Sequence, residues 1–144
     1  EKLPVLIIGI DKSLVNQRAL HQQLFETGAL QGVNWVVYVD PEAVNIRLQD
    51  ITWLVANNID PLRDCFYAKT NLYTDVPPMA IDGSRKSLSA DGFHRLWPNV
   101  LAMDDETIRQ VDELWGKLGL GEFIPSPSLN YKGLVKNEGA VAKG

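Results

Sequence analysis

Short apolar runs alternate along this chain with longer amphipathic stretches. Residues 3–10 (LPVLIIGI) and 34–40 (NWVVYVD) are continuous apolar runs rich in β-branched residues. Runs of this length and composition predict strands buried on both faces, the kind found in parallel sheets. The segment between them predicts a helix, so the three elements form a βαβ unit with a right-handed crossover.

The predicted first helix has its N-cap at Ser13 and ends near Gly28, since glycine suits the position after a helix. Its apolar face is made by Leu14, Leu20, Leu24 and Phe25. His21 is followed by Gln22 and Gln23, so we expect it on an exposed face of this helix.

The middle of the chain predicts a second helix and two further strands. The helix covers residues 46–58 and ends before Asp60-Pro61, because proline restricts the residue that precedes it. Residues 64–68 predict a third strand and residues 79–81 a short fourth one, with a loop through Pro77-Pro78 between them. This alternation indicates an α/β domain with three layers, a mainly parallel sheet flanked by helices.

The C-terminal part predicts one helix and an extended tail. Residues 104–118 form an amphipathic pattern, with Asp104 as its cap and Gly119 after its end. Serine, proline, glycine and lysine dominate after this helix, so the tail is expected to be mobile or docked on another surface. The predicted organisation is therefore a domain at 1–124 and a tail at 125–144.

Composition narrows the function classes. The 144 residues carry 14 basic and 18 acidic side chains and a net charge of −4, which disfavours nucleic-acid or anionic-membrane binding. No apolar run approaches the ~20 residues of a membrane helix, and a cytoplasmic location is expected. The single cysteine, Cys65, excludes an internal disulfide, and its predicted strand favours an inert thiol. The chain opens at Glu1, just before a strand, which is expected for a domain of a longer polypeptide and equally for a processed terminus.

Two strand ends carry polar residues where nucleotide-binding folds place theirs. Residues 9–13 (GIDKS) occupy the phosphate-loop position and Asp40 the ribose position. Because GxGxxG and GxxxxGK[ST] are both missing, an ordinary strand-to-helix turn is the favoured interpretation. His21 and His94 are far apart and lack metal-ligand spacing, which favours structural roles. A stand-alone flavodoxin-like binder of a small ligand, using Asp11 and Asp40, is kept as an alternative.

Charged residues cluster before the third strand and after the fourth. Asp60, Arg63 and Asp64 predict a local ion-pair network, in which Arg63 bridges both carboxylates or contacts another subunit. The favoured interpretation is that Arg63 clamps the turn and fixes the start of the strand. Arg85 and Lys86 predict either a binding site for a carboxylate or phosphate or a solvated turn.

Several short segments follow one another along the chain: residues 50–54 (DITWL), 60–64 (DPLRD), 80–86 (AIDGSRK) and 111–115 (VDELW), with 97–98 (WP) before the last. Their order resembles the C-terminal domain of the UbiD family of aromatic-acid decarboxylases. In that family a DVxWA-type helix, the sequence DPxRD, a GxDATxK element and a terminal helix follow one another. The similarity covers residues 3–121.

The resemblance implies an enzyme that uses prenylated FMN, with Mn²⁺ and K⁺, to remove CO2 reversibly from aromatic or α,β-unsaturated acids. These acids include polyprenylated hydroxybenzoate- and naphthoate-type intermediates of ubiquinone and menaquinone synthesis. The resemblance places the catalytic, cofactor-binding and metal-binding residues in an N-terminal domain, and none of them in this chain. It implies that the C-terminal domain caps the substrate and builds a homo-oligomer, with its own N-terminal domain and neighbouring subunits as partners.

The substrate loop of the family is shorter in this chain. The family has a glycine-rich GxGSKMG segment between its DPxRD and GxDAT elements, whereas residues 69–78 contain no glycine. Leu72, Tyr73 and Val76 are the nearest equivalents of the apolar residues that line the family's substrate pocket. Because the loop is shorter here, the resemblance does not determine the shape of that pocket. A non-catalytic assembly module, built on the helix at 104–118 and the tail, is a further alternative.

Overall fold

The chain forms two compact units, Glu1–Trp97 and Pro98–Gly144. The structure is a computed structural model that describes residues 4–71, 75–95, 97–136 and 141–142. The first unit contains an α/β sheet, and the second contains a long helix with short turns. This division follows internal packing, whereas the boundary between residues 124 and 125 was inferred from composition and stays a prediction.

The first unit is built on a four-stranded sheet with the order β1-β2-β4-β3. The strands are β1 (Val5–Gly9), β2 (Trp35–Val39), β3 (Cys65–Tyr67) and β4 (Met79–Asp82). β1, β2 and β4 are parallel, and β3 pairs antiparallel with β4. The predicted α/β class with a mainly parallel sheet is confirmed. The short fourth strand lies inside the sheet, between β2 and β3.

The first helix, α1 (Gln17–Glu26), begins later than predicted. Its N-cap is Asn16, whose side-chain oxygen accepts a hydrogen bond from the backbone N–H of Ala19 at 2.9 Å. Ser13 instead donates its backbone N–H and its hydroxyl to the Asp11 carboxylate, at 2.9 and 2.6 Å. The predicted roles of Ser13 as cap and Leu14 as core residue are wrong, since this turn leaves Leu14 80% exposed.

His21 is fully buried in α1, contrary to the prediction of an exposed position. Its Nδ1 lies 3.0 Å from the Tyr38 hydroxyl and its Nε2 lies 3.2 Å from the Pro78 carbonyl oxygen. Because a carbonyl only accepts, Nε2 carries the proton and Nδ1 accepts from the hydroxyl. The Phe66 ring packs edge-on, with its centroid 5.5 Å from that of the imidazole. Helical spacing with Leu24, rather than the polar neighbours, determines the burial of His21.

The burial of His21 makes the stability of the fold depend on pH. Burial lowers its pKa below the ordinary value of 6.5, so the unfolded chain takes up this proton at a higher pH than the folded chain. We expect the free energy of unfolding to fall as the pH drops below about 6.5, by at most about 1.4 kcal/mol per pH unit. Urea unfolding between about pH 5 and 8 measures this slope. His21→Gln should flatten the slope, whereas the exposed His94→Gln should preserve it; equal slopes in both variants would contradict the assignment.

The second and third helices are α2 (Leu48–Asn58) and α3 (Pro61–Asp64). The short α3 was not predicted. Asp60 caps it, because its carboxylate accepts a hydrogen bond from the backbone N–H of Leu62 at 3.1 Å. This helical turn takes up Asp64, so the third strand begins at Cys65, one position after the predicted start.

The second unit contains α5 (Asp105–Leu118), which matches its prediction closely. The Asp104 side chain accepts a hydrogen bond from the backbone N–H of Thr107 at 2.7 Å. Gly119 ends the helix in the left-handed conformation, with φ of 65°. Among the described residues, no helix has the length and apolar content needed to cross a membrane.

The described part of the predicted tail is ordered into short elements. Turns of 3-10 helix cover Pro127–Asn130 and Lys132–Leu134, and Leu134 is only 7% exposed. β5 (Ala102–Met103) pairs in parallel with β6 (Val141–Ala142). These residues are therefore docked within the second unit, which is one of the two expected outcomes for them.

Candidate functional site

A cluster of buried and half-buried charges lies at one edge of the sheet. We call it the charge cluster, and it comprises Lys12, Arg63, Asp64, Asp82, Lys86 and Asp91. β1 and β4 run in the same direction, so their carboxyl ends face the same edge, and the antiparallel β3 begins there. This edge is where open α/β sheets bind their ligands.

Asp82, the last residue of β4, is the centre of the charge cluster. Its Oδ2 lies 3.1 Å from Lys12 Nζ and 3.2 Å from Lys86 Nζ. Ser84 donates its backbone N–H and its hydroxyl to Oδ1, at 3.0 and 2.5 Å. Burial alone would raise the pKa of Asp82, but the charge of Lys86 and the Ser84 hydrogen bond outweigh burial and hold that pKa below its usual range. Asp82 is therefore an ionised carboxylate shared by two ammonium groups.

Lys86 is enclosed by the protein. Its side chain is 0% exposed, and its Nζ lies 3.4 Å from Asp64 Oδ1 and donates to the Asp82 carbonyl at 2.8 Å. Burial lowers the pKa of Lys86, and the negative charge of Asp82 opposes that shift. The predicted solvated turn is wrong for Lys86, because its ammonium is buried among protein oxygens. Its part in an anion site stays a prediction.

Arg85 does not share the environment of Lys86. Its backbone N–H donates to Asp40 Oδ2 at 3.3 Å, and its Nη2 donates to the Trp97 carbonyl at 3.4 Å. The side chains of Arg85 and Lys86 therefore have different partners and do not form one cationic site. An anion site at Arg85 alone stays a prediction.

Arg63 and Asp64 form a bidentate ion pair. Arg63 Nε and Nη2 each lie 2.7 Å from a different oxygen of the Asp64 carboxylate. Asp64 also accepts the backbone N–H of Asp60 at 2.7 Å. Burial would raise the pKa of Asp64, but the hydrogen bonds from Arg63 and Asp60 outweigh it and lower that pKa. In the structure Arg63 clamps the turn, as the sequence analysis favoured, and Asp60 caps α3 instead of sharing the guanidinium.

Lys12 joins the turn after β1 to the short helix α4 (Leu88–Asp91). Its Nζ lies 2.7 and 2.9 Å from the two carboxylate oxygens of Asp91. Asp91 also accepts the backbone N–H of Ser87 at 2.8 Å. The pairing of Lys12 with Asp91 was not predicted, since the two residues are 79 positions apart and no local spacing marks the pair.

A cavity of about 470 Å³ opens beside the charge cluster. Its walls are the turn after β1, the first turn of α1, the end of α3 and the helix α4. Pockets for small molecules usually have volumes of ~300–1,000 Å³. Asp64, Asp82 and Asp91, which line it, are each ion-paired to a lysine or arginine. The arrangement suits binding and positioning better than proton abstraction.

Val76, the described member of the predicted substrate loop, does not line the cavity, and neither does Cys65. Leu72 and Tyr73 fall outside the described residues, and Val76 is 92% exposed. Cys65 is partly exposed rather than buried, because β3 is an edge strand. Burial and the charge of Asp64 raise the pKa of its thiol, which favours the unreactive form. The substrate-facing role of Leu72, Tyr73 and Val76 stays a prediction.

Comparison with known proteins finds relatives much longer than this chain. No family model matches it. The chain is 31% identical to a protein of Archaeoglobus fulgidus, over 78% of its own length and 25% of the relative's. It is 30% identical to one of Aquifex aeolicus, over 58% and 19% of the two lengths, and 29% identical to one of Aeropyrum pernix, over 67% and 22%. Each of the three is described as an uncharacterized protein. The chain thus spans about a quarter or less of the curated relatives it matches.

Proposed function

We propose that this chain is the C-terminal domain of a UbiD-like decarboxylase and acts in subunit assembly and substrate capping. The observation that supports the proposal best is the contact between the two most characteristic motifs of the chain, DPLRD and AIDGSRK. Lys86, the last residue of AIDGSRK, lies 3.4 Å from the carboxylate of Asp64, the last residue of DPLRD, and 3.2 Å from Asp82. The residues that carry the resemblance therefore contact each other in one group of ion pairs. Two motifs that matched the family by chance would have no reason to be in contact.

The length of the relatives gives further support. Because this chain matches about a quarter or less of each, a relative has room for a separate catalytic domain. The proposal assigns prenylated FMN, Mn²⁺ and K⁺ to that domain. The charge cluster does not suit Mn²⁺, since its three carboxylates are already paired with lysine or arginine. No group of three or more potential metal ligands occurs within the described parts of the chain.

The proposed contribution of this chain is physical rather than covalent. Decarboxylation leaves negative charge on the carbon that loses CO2, and prenylated FMN, when bound, supplies the electron sink. A domain that closes over the substrate excludes water and fixes its orientation. The exposed Val76 belongs to the loop proposed to face the acid. The proposed substrate is an aromatic or polyprenylated hydroxybenzoate- or naphthoate-type acid of cytoplasmic quinone synthesis.

The proposal is tested with the complete reading frame that contains this chain. That protein is produced in cells that make prenylated FMN and assayed for CO2 release from a panel of aromatic and α,β-unsaturated acids, with and without Mn²⁺. We expect a bound flavin and turnover for the complete protein, and neither for the 144-residue chain alone. A complete protein that binds no flavin would refute the family assignment. Turnover by the isolated chain would refute the claim that its chemistry lies elsewhere.

A non-catalytic assembly module is the second candidate. It is favoured by apolar residues left exposed in the second unit: Val111, Leu114, Leu118, Leu120, Phe123 and Ile124, each 43–61% exposed. Exposed apolar surface of this kind marks many protein–protein contacts. Light scattering on the chain, with and without residues 125–144, tests this role. A strictly monomeric chain in both forms would count against it.

A further inference from the structure

β1 forms one edge of the four-stranded sheet, and its outer side has no neighbouring strand among the described residues. The backbone N–H of Ile10 donates to the Val39 carbonyl at 2.9 Å. Because backbone groups alternate in direction along a strand, the even-numbered residues of β1 bond to β2. The N–H and carbonyl groups of Val5, Ile7 and Gly9 therefore point towards the free edge. Within the described residues, none of these groups has a hydrogen-bond partner.

β1 carries none of the usual protections of an edge strand, which are shortness, charged side chains, proline or a bulge. Its five residues, VLIIG, include no charge and no proline, and they pair with β2 in five consecutive positions without a bulge. The side chains of Val5 and Leu6 point to opposite faces of the sheet and are 36% and 37% exposed. An apolar strand with free backbone groups is a template for pairing with another strand.

The opposite edge of the sheet, formed by β3, is protected. β3 has only three residues, and side chains of α1 bond to the backbone on either side of it. Arg18 Nη2 donates to the Arg63 carbonyl at 3.1 Å. The Gln22 side chain donates to the Lys69 carbonyl at 3.1 Å and accepts the Lys69 N–H at 2.7 Å. Pairing of β1 with β3 of a further copy, which would continue without limit, is therefore disfavoured.

We propose that β1 pairs in antiparallel orientation with β1 of a second copy of this chain, about a two-fold axis at Ile7. In this register Ile7 lies opposite the partner's Ile7, and Val5 lies opposite the partner's Gly9. This register uses every outward-facing backbone group, in three residue pairs with two hydrogen bonds each. Each copy contributes the same surface, as a two-fold dimer requires. The result is a continuous sheet across both copies.

The side chains suit this register on both faces of the sheet. On one face, Leu6 lies opposite the partner's Ile8, in the type of antiparallel pair whose side chains are closest. On the other face, a Cβ on Gly9 would lie 2.5 Å from Val44 Cγ2, so Val44 fills the space beside Gly9. The partner's Val5 then contacts Val44, which is 39% exposed. Because β1 has no charged residue, pairing with an identical strand places no like charges opposite each other.

The size of the contact determines the expected affinity. Pairing of one five-residue strand buries less than the ~1,200–2,000 Å² of a standard protein interface, so we expect a weak dimer of micromolar affinity. The inference identifies a surface for the assembly role proposed above, and it is separate from the exposed apolar residues of the second unit. It does not depend on the decarboxylase assignment, which flavin binding by the complete protein tests independently.

Amide hydrogen exchange of the 144-residue chain at several protein concentrations tests the contact without any substitution. The N–H groups of Val5, Ile7 and Gly9 should exchange more slowly as the concentration rises, because the partner strand accepts their hydrogen bonds. Those of Leu6 and Ile8 bond to β2 and should be protected at every concentration. Concentration-independent exchange at Val5, Ile7 and Gly9 would overturn the proposal even if the chain dimerises, since the two copies would then meet elsewhere.

Sedimentation equilibrium of the chain and of three variants completes the test, and we expect a reversible monomer–dimer equilibrium for the parent. Leu6→Lys should weaken the dimer at least about tenfold, since it places a charge at the pairing edge and keeps the backbone bonds to β2. The controls Tyr67→Lys, on the β3 edge, and Leu114→Lys, on α5, replace side chains that are 59% and 47% exposed and should leave association unchanged. A parent that is monomeric at every concentration, oligomers larger than the dimer, or an equal or larger loss in either control would refute the pairing through β1.

Discussion

Replacing Lys86 with methionine is expected to lower the free energy of unfolding by about 3 kcal/mol at neutral pH. The Lys86 side chain is fully buried, and its ammonium contacts Asp64 and Asp82, which are 3% and 7% exposed. Its loss leaves Arg63 and Lys12 to balance the three carboxylates of the charge cluster. We place the loss at the low end of the range for broken buried ion pairs, since each carboxylate retains one cation. Urea unfolding of both proteins measures the difference.

The destabilisation in Lys86→Met should shrink as the pH falls. In the parent, the folded-state pKa values of Asp64 and Asp82 are lowered. The stability that these groups add is present above their unfolded pKa of about 4 and is lost as the pH drops through the folded values. The variant lacks part of this stability, so the difference in the free energy of unfolding between the two proteins becomes smaller in acid. The exposed Lys69→Met is the control and should change stability by less than about 0.5 kcal/mol. A pH-independent difference, or one below about 1 kcal/mol, would argue against an ion-paired Lys86.

Substituting Gly83 with alanine should destabilise the first unit by about 2 kcal/mol. A Cβ at this position would lie 2.5 Å from Val55 Cγ2 and 3.2 Å from the Val55 backbone Cα. Gly83 is also held in place: it donates its N–H to the Tyr38 carbonyl at 2.9 Å and accepts from the Asn58 amide at 2.9 Å. Because the strand and α2 are fixed to each other, the clash cannot be relieved without loss of packing. Hydrogen exchange measures the effect on each unit separately.

A double-mutant cycle identifies the clash as the cause. Val55→Ala removes the closest atom, so Gly83→Ala should cost at least about 1 kcal/mol less in that background than in the parent. Gly116→Ala is the matched control, since a Cβ there meets nothing within 4 Å and the residue lies inside α5. It should stabilise the second unit by about 0.5–1 kcal/mol. Strictly additive effects of Gly83→Ala and Val55→Ala would rule out this mechanism.

The elements predicted correctly are those whose signal is local. The continuous apolar runs marked the strands β1 and β2, and Asp104 and Gly119 marked the two ends of α5. Burial on both faces was predicted correctly only for β2, since β1 is an edge strand that leaves Val5 and Leu6 36% and 37% exposed. His21 was misplaced because its polar neighbours were weighed above its helical spacing with Leu24, which indicates the same buried face. The helical periodicity of the sequence is therefore sufficient to predict the burial of His21.

The position of β4 and the charge cluster could not be predicted in the same way. β4 has four residues, and its place between β2 and β3 is set by pairings with distant segments. Lys12 and Asp82 are 70 positions apart, so no local sequence pattern predicts the ion pair between them. The DPLRD and AIDGSRK motifs are separated in sequence, and the contact of Lys86 with Asp64 depends on the antiparallel start of β3 beside the end of β4.

The strand order also has a consequence for the chain during its synthesis. β4 is the last of the four strands to leave the ribosome, yet it is an interior strand of the sheet. At 5–20 residues per second, the segment from Val39 to Asp82 takes about 2–9 s to be made. Throughout that interval, the nascent β1–β2 pair presents an open apolar edge that other chains could pair with. The nascent chain, rather than the finished fold, is therefore the form most in need of chaperone protection.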